Sequence, residues 1–140
     1  MKRQRTDSHI PQHLLSVKGL TMPFVLNVLE VADEMKMLVA RKGGDDRLKH
    51  KVLATAFYEP STRTCTSFQA AMLRLGGSVV NVNSEHSSVK KGETLEDTIR
   101  CLSCYCDVIA LRHPHKGSAI VAADVSKKSI INAGKLPYYY

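Results

Sequence analysis

The sequence predicts an α/β domain, a parallel four-stranded sheet flanked by helices. Three observations predict it. Short apolar runs at 52–58, 79–82, 108–111 and 130–131 read as strands. Stretches with apolar residues at helical spacing lie between them. Glycine or polar clusters end most segments, so strand and helix alternate as a parallel sheet requires. The chain has 140 residues, enough for one ordinary domain. The expected organisation is a flexible basic tail at 1–12, the domain at 13–134, and a divergent tail at 135–140.

The elements follow in order. A helix is predicted over about 21–40, with Thr21 as its cap and Pro23 in its first turn. Val25, Val28, Leu29, Ala32 and Met35 repeat at helical spacing and form its apolar stripe, with methionine as core filler. Residues 41–46 read as a loop. The run Val52–Tyr58 is continuously apolar enough for a buried parallel strand. A helix from Thr62 to Leu75 presents Phe68, Ala71, Met72 and Leu75 on one face and stops at Gly76-Gly77. Val79, Val80 and Val82 mark the second strand. Thr94 and Asp97 resemble a capping box, followed by Leu95, Ile99 and Leu102 as a helical stripe. Val108–Leu111 is the third strand, Ser118–Val125 a short helix, and Ile130-Ile131 the fourth strand.

Composition narrows the function classes. The apolar fraction is 44% and the charged fraction 24%, as in ordinary soluble domains. No apolar run reaches the roughly 18 residues of a membrane span. The basic start, Met1 to Arg5, is not followed by an apolar signal region, so a cytoplasmic protein is expected, not a secreted one. The formal net charge of +7 fits a solvated basic surface or an anionic small ligand. The basic residues are scattered and few aromatics lie among them, so neither nucleic acid nor membrane is the expected partner. The four cysteines are expected as free thiols. Cys101, Cys104 and Cys106, with His113 and His115 nearby, lack a second ligand pair at zinc spacing, so packing is the favoured role.

Three polar clusters carry the functional signal. Ligands of open parallel sheets bind outside the carboxyl ends of the strands. Ser61, Thr62, Arg63 and Thr64 follow the first strand there and open a helix. That helix start offers unpaired N–H groups, three hydroxyls and a planar guanidinium, a set suited to phosphate oxygens. Ser87, Lys90 and Lys91 lie in the loop after the second strand, and Arg112 and His113 end the third. A plain Ser or Thr cap, a solvated lysine loop and an Arg112–Glu59 ion pair are the bland alternatives. Convergence of the three clusters on one rim favours a phosphate-bearing ligand.

At these residues the chain resembles aspartate carbamoyltransferase. The segments are Phe57 to Thr64 (F-Y-E-P-S-T-R-T), Leu75 to Gly77, Ser87 to Thr98 (S-S-V-K-K-G-E-T-L-E-D-T), Asp107 to Pro114 (D-V-I-A-L-R-H-P) and Ile131 to Gly134. His13 to Val17 is similar to the family's start. The S-T-R-T signature at Ser61 to Thr64 is shared with ornithine carbamoyltransferase; the K-K-G-E-T-L and R-H-P segments favour the aspartate enzyme.

The resemblance implies specific roles. Ser61, Thr62, Arg63 and Thr64 would hold the phosphate of carbamoyl phosphate. Arg112 would contact phosphate and, with Thr64, polarise the carbonyl oxygen. Ser87 and Lys91 would reach a neighbouring subunit's site in a homotrimer or mixed trimer. Glu59 and Glu93 would organise the loops and the Arg side chains, and His113, a histidine before proline, is expected as a supporting turn residue. The implied reaction is attack by the L-aspartate amine on the carbamoyl carbon with loss of phosphate, a step of pyrimidine biosynthesis, with no metal or organic cofactor. One departure stands out. The family carries H-P-T-Q after Asn-Ala-Gly, whereas Lys135, Leu136, Pro137 and Tyr138 follow here. The aspartate-binding second domain is expected to be absent from these residues, and losing one carbonyl-polarising donor costs about 100- to 1000-fold in rate. A non-catalytic carbamoyl-phosphate-binding or trimer-assembly module is the alternative.

Overall fold

A computed structural model describes residues 10–83 and 92–134. The element order is α1 (Met22–Lys42), β1 (Val52–Phe57), α2 (Thr62–Arg74), β2 (Ser78–Asn83), α3 (Leu95–Tyr105), β3 (Val108–Arg112), α4 (Ser118–Val125) and β4 (Ser129–Asn132). All strand pairs are parallel, in the order β2-β1-β3-β4. The chain leaves β1 for β2 on one side and later returns for β3 on the other. The boundary between β1 and β3 is therefore the topological switch point, where the crevice for a ligand opens. Phe57 and Arg112 are register partners, so the two strands end level beside it.

Alternation along the strands sorts the core into two layers. Ala54, Ala56, Ile109, Leu111 and Ile130 pack with Ile99 and Leu102 of α3 and Ala122 of α4. Leu53 and Ala110 pack with Met72 of α2, joined by Phe57, Phe68, Val79 and Val108. The alanines leave room for the helices to approach the sheet closely. Thr55 falls in the α2 layer and is fully buried. Its hydroxyl donates to Asn81 Oδ1 at 3.0 Å and accepts from Gln69 Nε2 at 3.3 Å, which satisfies a polar group in an apolar layer.

The helix ends follow their chemistry. Thr21 caps α1, accepting from the Phe24 amide at 3.4 Å, and Gly43 ends it in the left-handed region at φ 78°. Thr94 Oγ1 caps α3 by accepting from the Asp97 amide at 3.2 Å. The Asp97 carboxylate accepts from the Thr94 hydroxyl at 2.9 Å instead of reaching the Thr94 amide, so the box is closed side chain to side chain. Asp107 joins the starts of β1 and β3: its amide donates to Val52 O at 2.8 Å and its Oδ2 accepts from the Val52 amide at 2.9 Å.

Three expectations are corrected. The α1 stripe does not form the core, because α1 contains no buried residue, and Val28 and Leu29 are 47% and 57% exposed. Of the predicted stripe only Val25 and Met35 are half-buried, together with Phe24, Leu38 and Val39, while Ala32 is exposed. In α2, Ala71 is exposed while Gln69 turns inward to Thr55. Cys101 and Cys104 are exposed on α3, and only Cys106 is buried as packing predicts.

The segment before α1 supplies an unpredicted contact. Leu14 forms a parallel bridge with Ile131. Its amide donates to Ile130 O at 2.8 Å and its carbonyl accepts from the Asn132 amide at 2.9 Å. His13 Nδ1 accepts from the Ile130 amide at 3.2 Å. These bonds cover the outer edge of β4.

Candidate anion-binding site

The site begins where β1 ends. β1 is a buried strand that stops at Phe57; Glu59 and Pro60 turn the chain, and α2 starts at Thr62. Ser61 occupies the N-cap position, yet its side chain makes no capping bond. Its hydroxyl accepts from Arg112 Nη1 at 3.2 Å instead. The first helical amide bond in this turn runs from Cys65 to Ser61 O at 3.3 Å. The amides of Thr62, Arg63 and Thr64 therefore face outward from the helix end without an intrahelical acceptor, at the positive end of the helix dipole. The plain-cap alternative does not hold at Ser61.

Arg112 is the last residue of β3 and reaches across the switch point. Its Nε donates to Glu59 Oε2 at 3.1 Å, with the two side chains 21% and 35% exposed. Its carbonyl accepts from the Tyr58 amide at 2.8 Å, which continues the β1–β3 pairing one residue further. Two side-chain bonds and one main-chain bond thus orient the guanidinium over the start of α2. Thr64 is half-buried, and Thr62 and Arg63 are exposed. The fold brings together Ser61, Thr62, Arg63, Thr64, Glu59 and Arg112.

His113 belongs to a neighbouring arrangement. Its ring packs against Tyr58 with centroids 4.8 Å apart and against His115 at 5.0 Å. Its Nδ1 lies 2.8 Å from Ser118 Oγ and accepts from the His115 amide at 3.2 Å. Burial holds the imidazole below its ordinary pKa of 6.5, helped by His115 and opposed by Glu59. Burial also pushes the Tyr58 phenol up. These rings line a cavity of about 310 Å³, with Glu93, Leu95 and Lys116 on its walls. Glu93 is placed at this cavity. Ser87, Lys90 and Lys91 lie outside the described residues.

Sequence reasoning missed the companions of these groups. Ser118 reads as a helix start, but its hydroxyl also engages His113. Tyr58 reads as the end of an apolar strand, but it is the platform for His113. Gln69 carries helical spacing from Cys65, and both its amide contacts, Thr55 Oγ1 and Cys65 Sγ, are at 3.3 Å. A hydrophilic residue four positions from another on the inward side of a helix was the available signal. Among the described residues, no group of three or more His, Cys, Asp or Glu side chains is placed to hold a metal ion. No described helix is long and apolar enough to cross a membrane.

Comparison with known proteins agrees with this geometry. The family profile described as aspartate/ornithine carbamoyltransferase, carbamoyl-P binding domain, matches residues 12–137. The multifunctional protein pyr1-3 of Dictyostelium discoideum is 55% identical over 123 residues, covering 88% of this chain and 6% of its own length. The aspartate carbamoyltransferase catalytic subunit of Methanococcus maripaludis is 45% identical over 124 residues, covering 88% of this chain and 41% of its own. The catalytic subunit of M. jannaschii aspartate transcarbamoylase superposes with a TM-score of 0.84 at 48% identity, over 91% of this chain and 43% of that one. The chain thus spans less than half of these relatives. Family profile, sequence identity and superposition agree, and the chain belongs to the aspartate/ornithine carbamoyltransferase family, matching its carbamoyl-phosphate-binding domain.

Proposed function

We propose that this domain binds carbamoyl phosphate and takes part in carbamoyl transfer to the amine of L-aspartate, in pyrimidine biosynthesis. One observation carries the reading: the Ser61 hydroxyl is turned away from the helix to Arg112, which leaves the first amides of α2 available to an anion. In this reading the phosphate sits against those amides, the hydroxyls of Thr62 and Thr64, and Arg63. Arg112 and Thr64 contact the carbonyl oxygen, where negative charge grows as the amine attacks. The new bond joins the amine nitrogen to the carbamoyl carbon; the carbon–oxygen bond to phosphate breaks, phosphate leaves with the electron pair, and the amine sheds a proton. The protein's contribution is alignment and charge stabilisation.

The domain is bounded at 13–134, with 1–12 and 135–140 as tails. Ser87 and Lys91 serve a neighbouring subunit in a homotrimer or mixed trimer, and the protein is cytoplasmic. In this reading carbamoyl-phosphate binding belongs to this domain and aspartate binding to residues outside 13–134. Calorimetry with carbamoyl phosphate tests the pocket: wild type should release heat that Arg63→Ala loses. Equal heats from the two proteins would remove the pocket assignment. Formation of carbamoyl-aspartate by this chain alone, at saturating substrates, would remove the division of labour.

A further inference from the structure

The β3–α4 loop is tied by the histidine that follows Arg112. A neutral imidazole has one nitrogen that accepts. The His115 amide is a fixed donor and lies 3.2 Å from His113 Nδ1. A proton on Nδ1 would face that N–H, so Nδ1 is the bare nitrogen and Nε2 carries the hydrogen. The Ser118 hydroxyl, 2.8 Å from Nδ1, also reaches His115 O at 2.9 Å. With Nδ1 bare, the hydroxyl gives its single hydrogen to Nδ1 rather than to His115 O, since two lone pairs would otherwise face each other at 2.8 Å. Pro114 confines His113 to extended backbone, and the Tyr58 ring packs against the imidazole at 4.8 Å between centroids.

We propose that His113 is a positioning residue for Arg112: its bare Nδ1, accepting from the His115 amide and from the Ser118 hydroxyl, fixes the backbone that directly follows Arg112. The functional half of this inference rests on the carbamoyl-phosphate reading given above. Protonating His113 puts an N–H against the His115 amide and breaks that bond. The loop then loosens directly beside the residue that binds Glu59 and Ser61. The titratable and charged groups around the ring are Tyr58 and Glu59 after β1, Glu93 before α3, and His115 and Lys116 in the loop itself. The low imidazole pKa agrees with this geometry.

The test compares wild type with His113→Asn, His113→Gln and His113→Ala in the full chain. Asn places an acceptor where Nδ1 stands and does not titrate; Gln places its amide nearer Nε2. Nitrogen NMR of wild type at about pH 7.5 should show the Nε2–H tautomer, and acidification should move the His115 amide and Arg112 Nε resonances together with the His113 ring. Carbamoyl-phosphate affinity near neutral pH should be retained in His113→Asn and fall about fivefold in His113→Gln and His113→Ala, the worth of one hydrogen bond. On acidification wild type should lose affinity by a further step that His113→Asn lacks. An Nδ1–H tautomer, or equal affinity in wild type and His113→Ala, would overturn the proposal. Wild type that shows the tautomer and the coupled Arg112 shift but no carbamoyl-phosphate heat would overturn the ligand reading and support the loop assignment.

Discussion

At the scale of the residue, Arg112 is defined by having two different acceptors, a carboxylate on Nε and a hydroxyl on Nη1. Only a planar fork serves both while keeping further N–H groups for a ligand. Arg112→Lys keeps the charge but not the fork. Its carbamoyl-phosphate affinity should fall about tenfold or more, since hydrogen bonds to charged groups contribute about 1.5–3 kcal/mol each; calorimetry on the two proteins checks this. The cysteines give a second residue-level prediction. Burial pushes the Cys106 thiol up, whereas Cys101 and Cys104 are exposed. Alkylation of the native protein followed by mass spectrometry should label Cys101 and Cys104 and spare Cys106 until denaturant is added. The Ser61 to Thr64 cluster and the Arg112–Glu59 pair were legible because each rests on a short motif at a strand end. The destination of the Ser61 hydroxyl was not, because sequence names a cap by residue type and only geometry shows which donor it meets.

At the scale of the element, β1 to β4 and α2 to α4 were legible from period and length. The partners of α1 were not. An apolar helix with two stripes gives the same periodic signal whichever stripe meets its own domain. Here Phe24, Val25, Met35, Leu38 and Val39 are half-buried, while Met22, Leu26 and Leu29 are more than half exposed. The Leu14 bridge was also invisible, since a single pairing carries no period. The join of α3 to α4 rests on a buried polar pair that patterning cannot see. Ser103 Oγ donates to Ile99 O at 2.8 Å and lies 3.1 Å from Ser126 Oγ, which also accepts from the Lys128 amide at 3.0 Å. Ser126→Ala leaves that amide without its partner, and urea unfolding should report a loss of about 1–3 kcal/mol. Ser103→Ala should cost less, because the Ser126 hydroxyl keeps the Lys128 carbonyl at 2.8 Å.

At the scale of the whole molecule, stability should depend on pH in two windows. His113 has its pKa below 6.5 in the folded chain. As pH falls the unfolded chain takes the proton first, so this contribution is complete above pH 6.5 and is lost below it. Asp107 is held below its ordinary 3.8, chiefly by the Val52 amide, so its contribution is present above that value and is lost as pH falls further. Thermal melts across acid pH should show a first decline that His113→Asn removes, and a second, lower one that Asp107→Asn diminishes, the rest belonging to Asp45, which its hydrogen bond with Arg47 also holds below 3.8. A single step unaffected by either substitution would refute this assignment. The Leu14 bridge to Ile131 has a consequence for synthesis. His13 and Ile130 are hydrogen-bonded across 117 positions of sequence. A growing chain can pair β1 with β2 early, and β3 later. The outer side of β3 stays open until residues 129–132 leave the ribosome, and only then can the segment around Leu14 seal the sheet. A nascent chain stalled before that point offers an unpaired strand edge, the surface that holding chaperones and aggregation both compete for.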